Sequence, residues 1–423
     1  MNVQGLKGTR DFYPENMRTL NYIFSKWKSA ALKFGYQEID GPLLEPIELW
    51  TLKSGNEIPE QMYRFKDKGD REVAIRPELT PTIARMVAQK QRELPKPIKW
   101  FSIPRCWRYE APQSGRLREF FQFNLDCLGT TSMLTDAEVI ATAVEIMKSF
   151  GCGKKDFFVR LNNRKLLTSL FLSTGIKQKQ LQEVCRLIDK KCKLRKGDFE
   201  LAMKEMKATD KQIEMIKDIL EYDSLKDVDA SKLDENGKKG YEEVKELMKC
   251  LEDLNVAEFI KLDFSIMRGF DYYTSTVFEV FDASHELRAI AGGGRYEDLV
   301  KDFGGEPCPG VGYGMGDVVL EMFLRKLGKM PELKRDVDYY VAPINKDVLG
   351  KAMEIANILR EKYSVEVDLM EKNLRKQFEY ADSIGAKKIV IVGPKDLEEK
   401  KVTVREMASG KEEKISLDKI KKL

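Results

Sequence analysis

Apolar residues recur along the chain with two periods, and the change from one to the other outlines its elements. From Asn16 to Phe34 the spacing is helical, with Leu20, Ile23, Phe24, Trp27 and Ala31 on one stripe and Gly35 as a C-cap. From Phe101 to Gly129 (FSIPRCWRYEAPQSGRLREFFQFNLDCLG) the period is two. Alternate side chains of a strand face opposite sides of a sheet. Phe121, Phe123, Leu125 and Cys127 therefore share a core-facing side, and Gln122, Asn124 and Asp126 share the other. Arg108 and Glu110, also two apart, share a face of a preceding strand. An antiparallel sheet with one solvated face has the same alternation, so the pattern alone assigns no chemistry. The loop between the strands adds some: Gln113, Ser114, Gly115, Arg116 and Arg118 suit contact with phosphates.

The flanking segments extend the picture. A short strand and Gly41-Pro42 follow the first helix, and an extended segment ends near Pro46. Tyr63 to Phe65 and Glu72 to Ile75 flank Asp67-Lys68-Gly69-Asp70 and predict a hairpin. Its second strand runs into RPELT (76–80), where Thr80 before Pro81 suits a helix N-cap, with a ligand role as the alternative. Helices are expected over 134–150 and 164–174, with a strand over 157–161. Lys177 to Glu258 is dense in Lys, Glu, Leu and Met and reads as an inserted helical module whose charges are solvated faces. Strand patterning returns in FSIMRGFDYYTSTVFEVF (264–281) and LRAIAGGGRYEDLV (287–300), and a second glycine-rich run, 304–316, leads into a helix over 317–327. After a charged linker at 333–336, strands 338–344, 364–369 and 387–393 alternate with helices 347–362 and 373–384. That alternation predicts a small α/β domain with a largely parallel centre; a last hairpin turns at Ser409-Gly410 and a basic end follows.

Composition narrows the class. The chain has 423 residues, enough for two or three domains, with 34% charged and 42% hydrophobic residues and a net charge of +4. Near-neutrality excludes a histone-like polycation and leaves room for local basic patches that hold a nucleic acid. No run approaches the roughly 20 apolar residues of a membrane helix, and the N-terminus has no signal-peptide core. A cytoplasmic protein is expected. The seven cysteines include no CxxC pair, and His285 is the single histidine, so no zinc set is expected and metal-site residues are none. A Ser-His-Asp or Cys-His arrangement would have to use His285, which has no motif around it. Catalysis must run on Arg, Glu, Asp, Tyr or a substrate-borne metal.

Trp107-Arg108-Tyr109-Glu110 resembles the Phe-Arg-x-Glu strands of class II aminoacyl-tRNA synthetases. RGFDYYT (268–274) and AGGGRY (291–296), with RPELT and REFFQFNLDCLG in the same order, resemble the histidyl-tRNA synthetase family across almost the whole chain. The resemblance implies an α+β fold: a class II antiparallel-sheet catalytic domain (1–176 and 259–330) with a helical insertion (177–258), a linker (331–336) and a C-terminal α/β anticodon-binding domain (337–423). It implies ATP-dependent activation of L-histidine to histidyl-adenylate and transfer to the 3′ end of tRNA-His, with ATP bringing its own Mg2+, in a homodimer with no membrane partner. Arg108 and Arg268 are the implied catalytic pair, clamping the α-phosphate and carboxylate with planar guanidinium forks. Glu110, Arg116 and Phe120 join Arg108 at ATP, Phe120 stacking on adenine. Glu78, Thr80 and Gln122 match the α-amino contacts, Asp126 and Tyr273 the imidazole nitrogens, and Leu79, Tyr272 and Tyr296 the pocket, which Arg108 and Arg268 also border. Gln113 and Arg116 are implied contacts for the tRNA acceptor end.

Two positions depart from the family pattern. Asp126 stands where many members carry Glu. The third class II motif ends in Gly-x-Glu-Arg, whose arginine holds the γ-phosphate; here Gly314-Met315-Gly316 leads into Asp317-Val318-Val319, and Val319 takes that place. Arg116, Arg118 and Arg295 are the substitute cations considered. The missing arginine favours one rival, a non-catalytic synthetase-like regulatory subunit of the ATP phosphoribosyltransferase type, whereas the complete 268–273 signature and the C-terminal domain oppose it. A class II synthetase for threonine, proline or glycine is the other rival, opposed by the two imidazole positions.

Overall fold

The computed structural model describes residues 4–51, 60–190, 197–266, 272–420 and 422. The chain divides into two compact units, Met1–Pro331 and Glu332–Leu423.

In the first unit a long helix α1 (Pro14–Lys33) is followed by β1 (Gln37–Glu38), β2 (Leu44–Pro46), β3 (Tyr63–Lys66) and β4 (Glu72–Ile75). Strands β2, β4 and β3 pair antiparallel in a small sheet. Helix α2 (Thr80–Lys90), β5 (Ile98–Ser102), β6 (Arg105–Trp107) and β7 (Glu119–Leu128) come next, then α3 (Met133–Ser149), β8 (Phe157–Asn163) and α4 (Arg164–Ser173). The segment read as an insertion carries α5 (Gln178–Lys190), α6 (Asp198–Glu205), α7 (Asp210–Leu220) and α8 (Glu235–Asp253). After it, β9 (Ile260–Leu262), β10 (Thr276–Asp282), β11 (Ala291–Tyr296), β12 (Gly310–Gly316) and α9 (Asp317–Lys326) complete the unit.

Among the described residues the main sheet has the order β1-β5-β7-β12-β11-β10-β8-β9, with β6 pairing the outer part of β7. Its interior pairs are antiparallel, and β1 and β9 join the edges in parallel. Sequence-distant strands β7 and β12 therefore lie side by side at its centre. One face is covered by helices: Ile23 and Trp27 of α1, Ala137, Ile140 and Val144 of α3 and Leu320 and Phe323 of α9 pack with Phe123, Leu125, Phe278, Tyr313 and Met315. On β7 this is the face predicted from the alternation. The segment 177–258 shares that core through Leu247 and Leu251 of α8 while Val244 joins a second cluster with α4 to α7.

Two local expectations change. Thr80 is not a side-chain cap: α2 begins at Thr80 after Leu79, which carries αR torsions, and no side chain bonds the cap. The strand before the basic loop ends at Trp107, and Glu110 N donates to Arg108 O at 2.9 Å in a tight turn. Arg108 and Glu110 therefore do not share a strand face.

The second unit is built on β13 (Val337–Pro343), α10 (Leu349–Arg360), β14 (Val365–Val367), α11 (Leu374–Ser383), β15 (Ala386–Val392), β16 (Lys401–Glu406) and β17 (Glu412–Ser416). Its sheet order is β14-β13-β15-β16-β17, parallel over the first three strands and antiparallel beyond. Apolar clusters on each side of this sheet give the unit a core of its own.

Candidate active site

The face of the main sheet away from α1 and α3 is paved with glycine. Asp126, Asn124 and Gln122 of β7 stand in register with Gly312, Gly314 and Gly316 of β12. Gly312 and Gly314 in turn face Gly294 and Gly292 of β11. A Cβ at Gly312 would collide with Asp126 Oδ1, and one at Gly314 with Gln122 Nε2. The polar side chains of β7 thus lie across a neighbouring strand that has no side chains to displace them. The Tyr273 ring covers Gly294, 3.1 Å from where a Cβ would stand, and Tyr296 covers Gly310 at 2.5 Å. The polar face is buried, not solvated: Asn124 and Asp126 are each 2% exposed.

Two carboxylates meet in this buried corner. Tyr296 donates its hydroxyl to Asp126 Oδ1 at 2.6 Å, and Tyr272 donates to Glu78 Oε2 at 3.1 Å. Thr80 also hydrogen-bonds Tyr272. The tyrosines pack edge to face, Tyr272 lying 5.0 Å from Tyr273 and 5.9 Å from Tyr296 between centroids, over Leu79, which is fully buried. Glu78 Oε1 and Asp126 Oδ2 have no hydrogen-bond partner among the described residues. Burial pushes the Glu78 carboxyl up to about 7 against the pull of Arg108 and the Tyr272 hydroxyl. Burial likewise raises Asp126 to about 7, opposed by the Tyr296 hydrogen bond. Buried acceptors of this kind are satisfied by N–H donors or a cation.

The loop carrying Glu78 is held by its neighbours. Buried Arg76 reaches Asp40 Oδ1 at 2.7 Å, Gly41 O at 2.8 Å and Arg105 O at 3.0 Å. Arg108 Nε donates to Pro77 O at 3.0 Å, and its guanidinium lies 5.3 Å from the centre of the Phe120 ring. A guanidinium and an aromatic face thus sit together beside the carboxylate corner. Glu110 is buried and ion-pairs with Arg116, whose backbone pairs with Gln113 in a bridge at the loop tip. Arg118 donates to Glu110 O at 3.1 Å and lies 4.2 Å over the Tyr109 ring.

The structure thus brings Glu78, Leu79, Thr80, Gln122, Asp126, Tyr272, Tyr273 and Tyr296 into one corner of this face and places Arg108, Glu110 and Phe120 next to it. It does not bring Arg295 there. That guanidinium is 1% exposed and ion-paired with Asp136 of α3, with further bonds to Thr130 O at 2.9 Å and Ser132 O at 3.2 Å. Position 295 alternates with Gly294 and Tyr296, so it faces the helices, and Arg295 is withdrawn as a substitute phosphate cation. Arg268 lies outside the described residues. Sequence reading missed Glu279, which stands opposite Gly292 on the glycine face and whose charge, with those of Glu78 and Asp126, helps burial raise the Tyr273 hydroxyl. The signal was present in the parity of Val277-Phe278-Glu279 beside a glycine triplet. Among the described residues no group of three or more His, Cys, Asp or Glu side chains is placed to hold a metal ion.

Comparison with known proteins is consistent with this geometry. A family model described as histidyl-tRNA synthetase matches residues 8–316, and one described as anticodon binding domain matches 338–423. The histidine–tRNA ligase of Leptospira biflexa is 40% identical over 417 residues, covering 97% of this chain and 94% of its own. That of Haloarcula marismortui is 38% identical, with 97% and 95% covered. A crystal structure of histidyl-tRNA synthetase from Nostoc sp. PCC 7120 superposes with a TM-score of 0.84 at 26% identity, covering 100% of this chain and 99% of that one. The chain, with both its units matched, belongs to the histidyl-tRNA synthetase family.

Proposed function

We propose that the glycine-paved face is where histidine and ATP meet. The chain is a histidine–tRNA ligase: it activates histidine with ATP and charges tRNA. The observation that carries the site assignment is the pair of buried, half-satisfied carboxylates, Glu78 and Asp126, joined to tyrosines in one corner beside Arg108 and Phe120. Histidine brings the complementary groups, an ammonium and a ring N–H.

In this reading Glu78, Thr80 and Gln122 take the α-ammonium, while Asp126 and Tyr273 take the imidazole. A pocket of this kind rejects analogues that leave its polar groups unpaired, by roughly 10⁴-fold or more. The substrate carboxylate oxygen attacks the α-phosphorus, the bond to the β-bridging oxygen breaks, and pyrophosphate leaves with the electron pair. The tRNA 3′-terminal hydroxyl then attacks the carbonyl carbon and releases AMP. No protein nucleophile is required, so the chain's work is positioning and charge neutralisation. Arg108, held by Pro77 O, offers its fork to the α-phosphate and carboxylate, with Arg268 assigned the same task. Phe120 stacks on adenine, Glu110 meets the adenosine end, and Mg2+ arrives with the triphosphate. Gln113 and Arg116 contact the tRNA acceptor end.

Residues 177–258 act as the insertion and 337–423 as the anticodon-binding domain of a cytoplasmic homodimer. No helix among the described residues is long and apolar enough to cross a membrane. Histidine-dependent ATP–pyrophosphate exchange tests the activity. Its absence from pure, folded protein would favour the regulatory-subunit reading.

A further inference from the structure

Described side chains cover the glycine face at one end and not at the other. Tyr296, Tyr273, Asp126 and Gln122 occupy the Cβ positions of Gly310, Gly294, Gly312 and Gly314, or press close to them. Beside Gly316, at the last position of β12, no described atom lies within 4 Å of the corresponding point. Helix α9 starts there, and Val319 is in its first turn. Two other segments reach the same place. The basic loop arrives at Gly115 (φ +73°), where a Cβ would stand 3.3 Å from Val319 Cγ2 and 3.8 Å from Arg288 Cδ. Arg288, three residues before β11, therefore brings its side chain beside the valine, and it is half-buried there.

Three arginines considered or placed near this end pair with carboxylates. Arg10 pairs with buried Asp317 at 2.7 Å, while Asp317 Oδ1 accepts Phe121 N at 2.9 Å. Arg116 pairs with Glu110, and Arg295 with Asp136 behind the sheet. The pyrophosphate leaving group gathers negative charge as the α–β bond breaks, and a guanidinium fixed in its path stabilises that charge. A valine supplies none. Resting on the activity proposed above, we infer that Arg288 contacts the β- and γ-phosphates of ATP, supplying from the strand side of the site the cation that Val319 does not supply from the helix. A Cβ-bearing residue at 115 would press on Val319 in the space between the two segments, which fits the glycine there.

The test is steady-state pyrophosphate exchange on the full chain, with KM for ATP, pyrophosphate and histidine and the inhibition constant of AMP, which lacks both distal phosphates. One charge-assisted hydrogen bond predicts that Arg288→Ala raises KM for ATP and pyrophosphate about 10- to 100-fold. Histidine KM and AMP inhibition should move by less than about twofold, because the defect is confined to the phosphates AMP lacks. The double variant Arg288→Ala/Val319→Arg should recover part of the loss by restoring a guanidinium from α9. If the alanine variant does not fold, Arg288→Gln gives the same comparison. Unchanged ATP and pyrophosphate KM in a folded variant would overturn the assignment, as would equal losses for AMP and histidine. Absence of exchange in the unsubstituted chain would instead overturn the activity itself, and the assignment with it.

Discussion

Tyr296 donates its hydroxyl to one oxygen of Asp126 at 2.6 Å and leaves the other oxygen with no partner among the described residues. The tyrosine fixes the carboxylate's orientation over Gly312; in the reading proposed above, the second oxygen takes the imidazole N–H. Asp126→Asn keeps the shape and removes the charge. It should lower kcat/KM for histidine in pyrophosphate exchange roughly 100-fold, the scale of one charged hydrogen bond made in a dry site. KM for ATP should stay within about threefold. Equal losses toward both substrates would mean that Asp126 supports the fold and not the imidazole.

The same burial makes the ligand-free protein pH-sensitive. Glu78 and Asp126 both rise to about 7, each mainly through burial. Their folded-state values exceed the unfolded ones, so the folded state binds more protons between about pH 4 and 7. Their contribution to stability is therefore present at the acid end of that window and lost as pH rises through 7. The loss is on the order of 3–4 kcal/mol per carboxylate. Glu78→Gln should raise the melting temperature at pH 8 while abolishing histidine activation, and should change it little near pH 4.5. Measured melting temperatures that are equal at pH 8 would show that solvent or a neighbouring group already satisfies the carboxylate.

Much of this site was legible from side-chain parity. Phe123 and Leu125 do face the helices, and Gln122, Asn124 and Asp126 do share the opposite face. What covers that face was not legible from parity and entered only through the family resemblance, because the cover comes from residues far away in sequence: Tyr272, Tyr273 and Tyr296 lie over it where β12 and β11 stand beside β7. Arg108 and Glu110 were misplaced on a strand because a tight turn preserves their spacing while ending the pleat. Arg295 was misjudged for a related reason. Its neighbours Gly294 and Tyr296 lie on the glycine face, but one residue of register sends a strand side chain to the other face.

That reversal makes Arg295 a residue for stability. Its guanidinium and Asp136 are both essentially inaccessible, tying β11 to α3 beneath the glycine floor. Removing one member of a buried pair leaves the other charged and unpaired, at about 3–5 kcal/mol. Arg295→Met should lower the denaturant midpoint accordingly, and Arg295→Met/Asp136→Leu should recover much of it. A folded Arg295→Met protein with full stability and a selective rise in KM for ATP would return the residue to the phosphate site.

In the second unit, the apolar side chains that stand out are not those of its core. Leu369 and Met370 are 82% and 72% exposed just beyond β14, and Asp368 folds the following turn by accepting from Met370 N and Lys372 N. A turn that holds aliphatic side chains out in water, close in sequence to Lys372 and Arg375, suits unstacked bases, which are read by packing and edge contacts. If the unit reads the anticodon, Leu369→Asp/Met370→Asp adds repulsion toward phosphate and removes apolar contact without touching the core. The variant should keep histidine-dependent pyrophosphate exchange within about twofold and raise KM for tRNA in charging by about tenfold or more, a loss of roughly 1.4 kcal/mol or more. Charging at an unchanged tRNA KM would place the contact elsewhere on the unit.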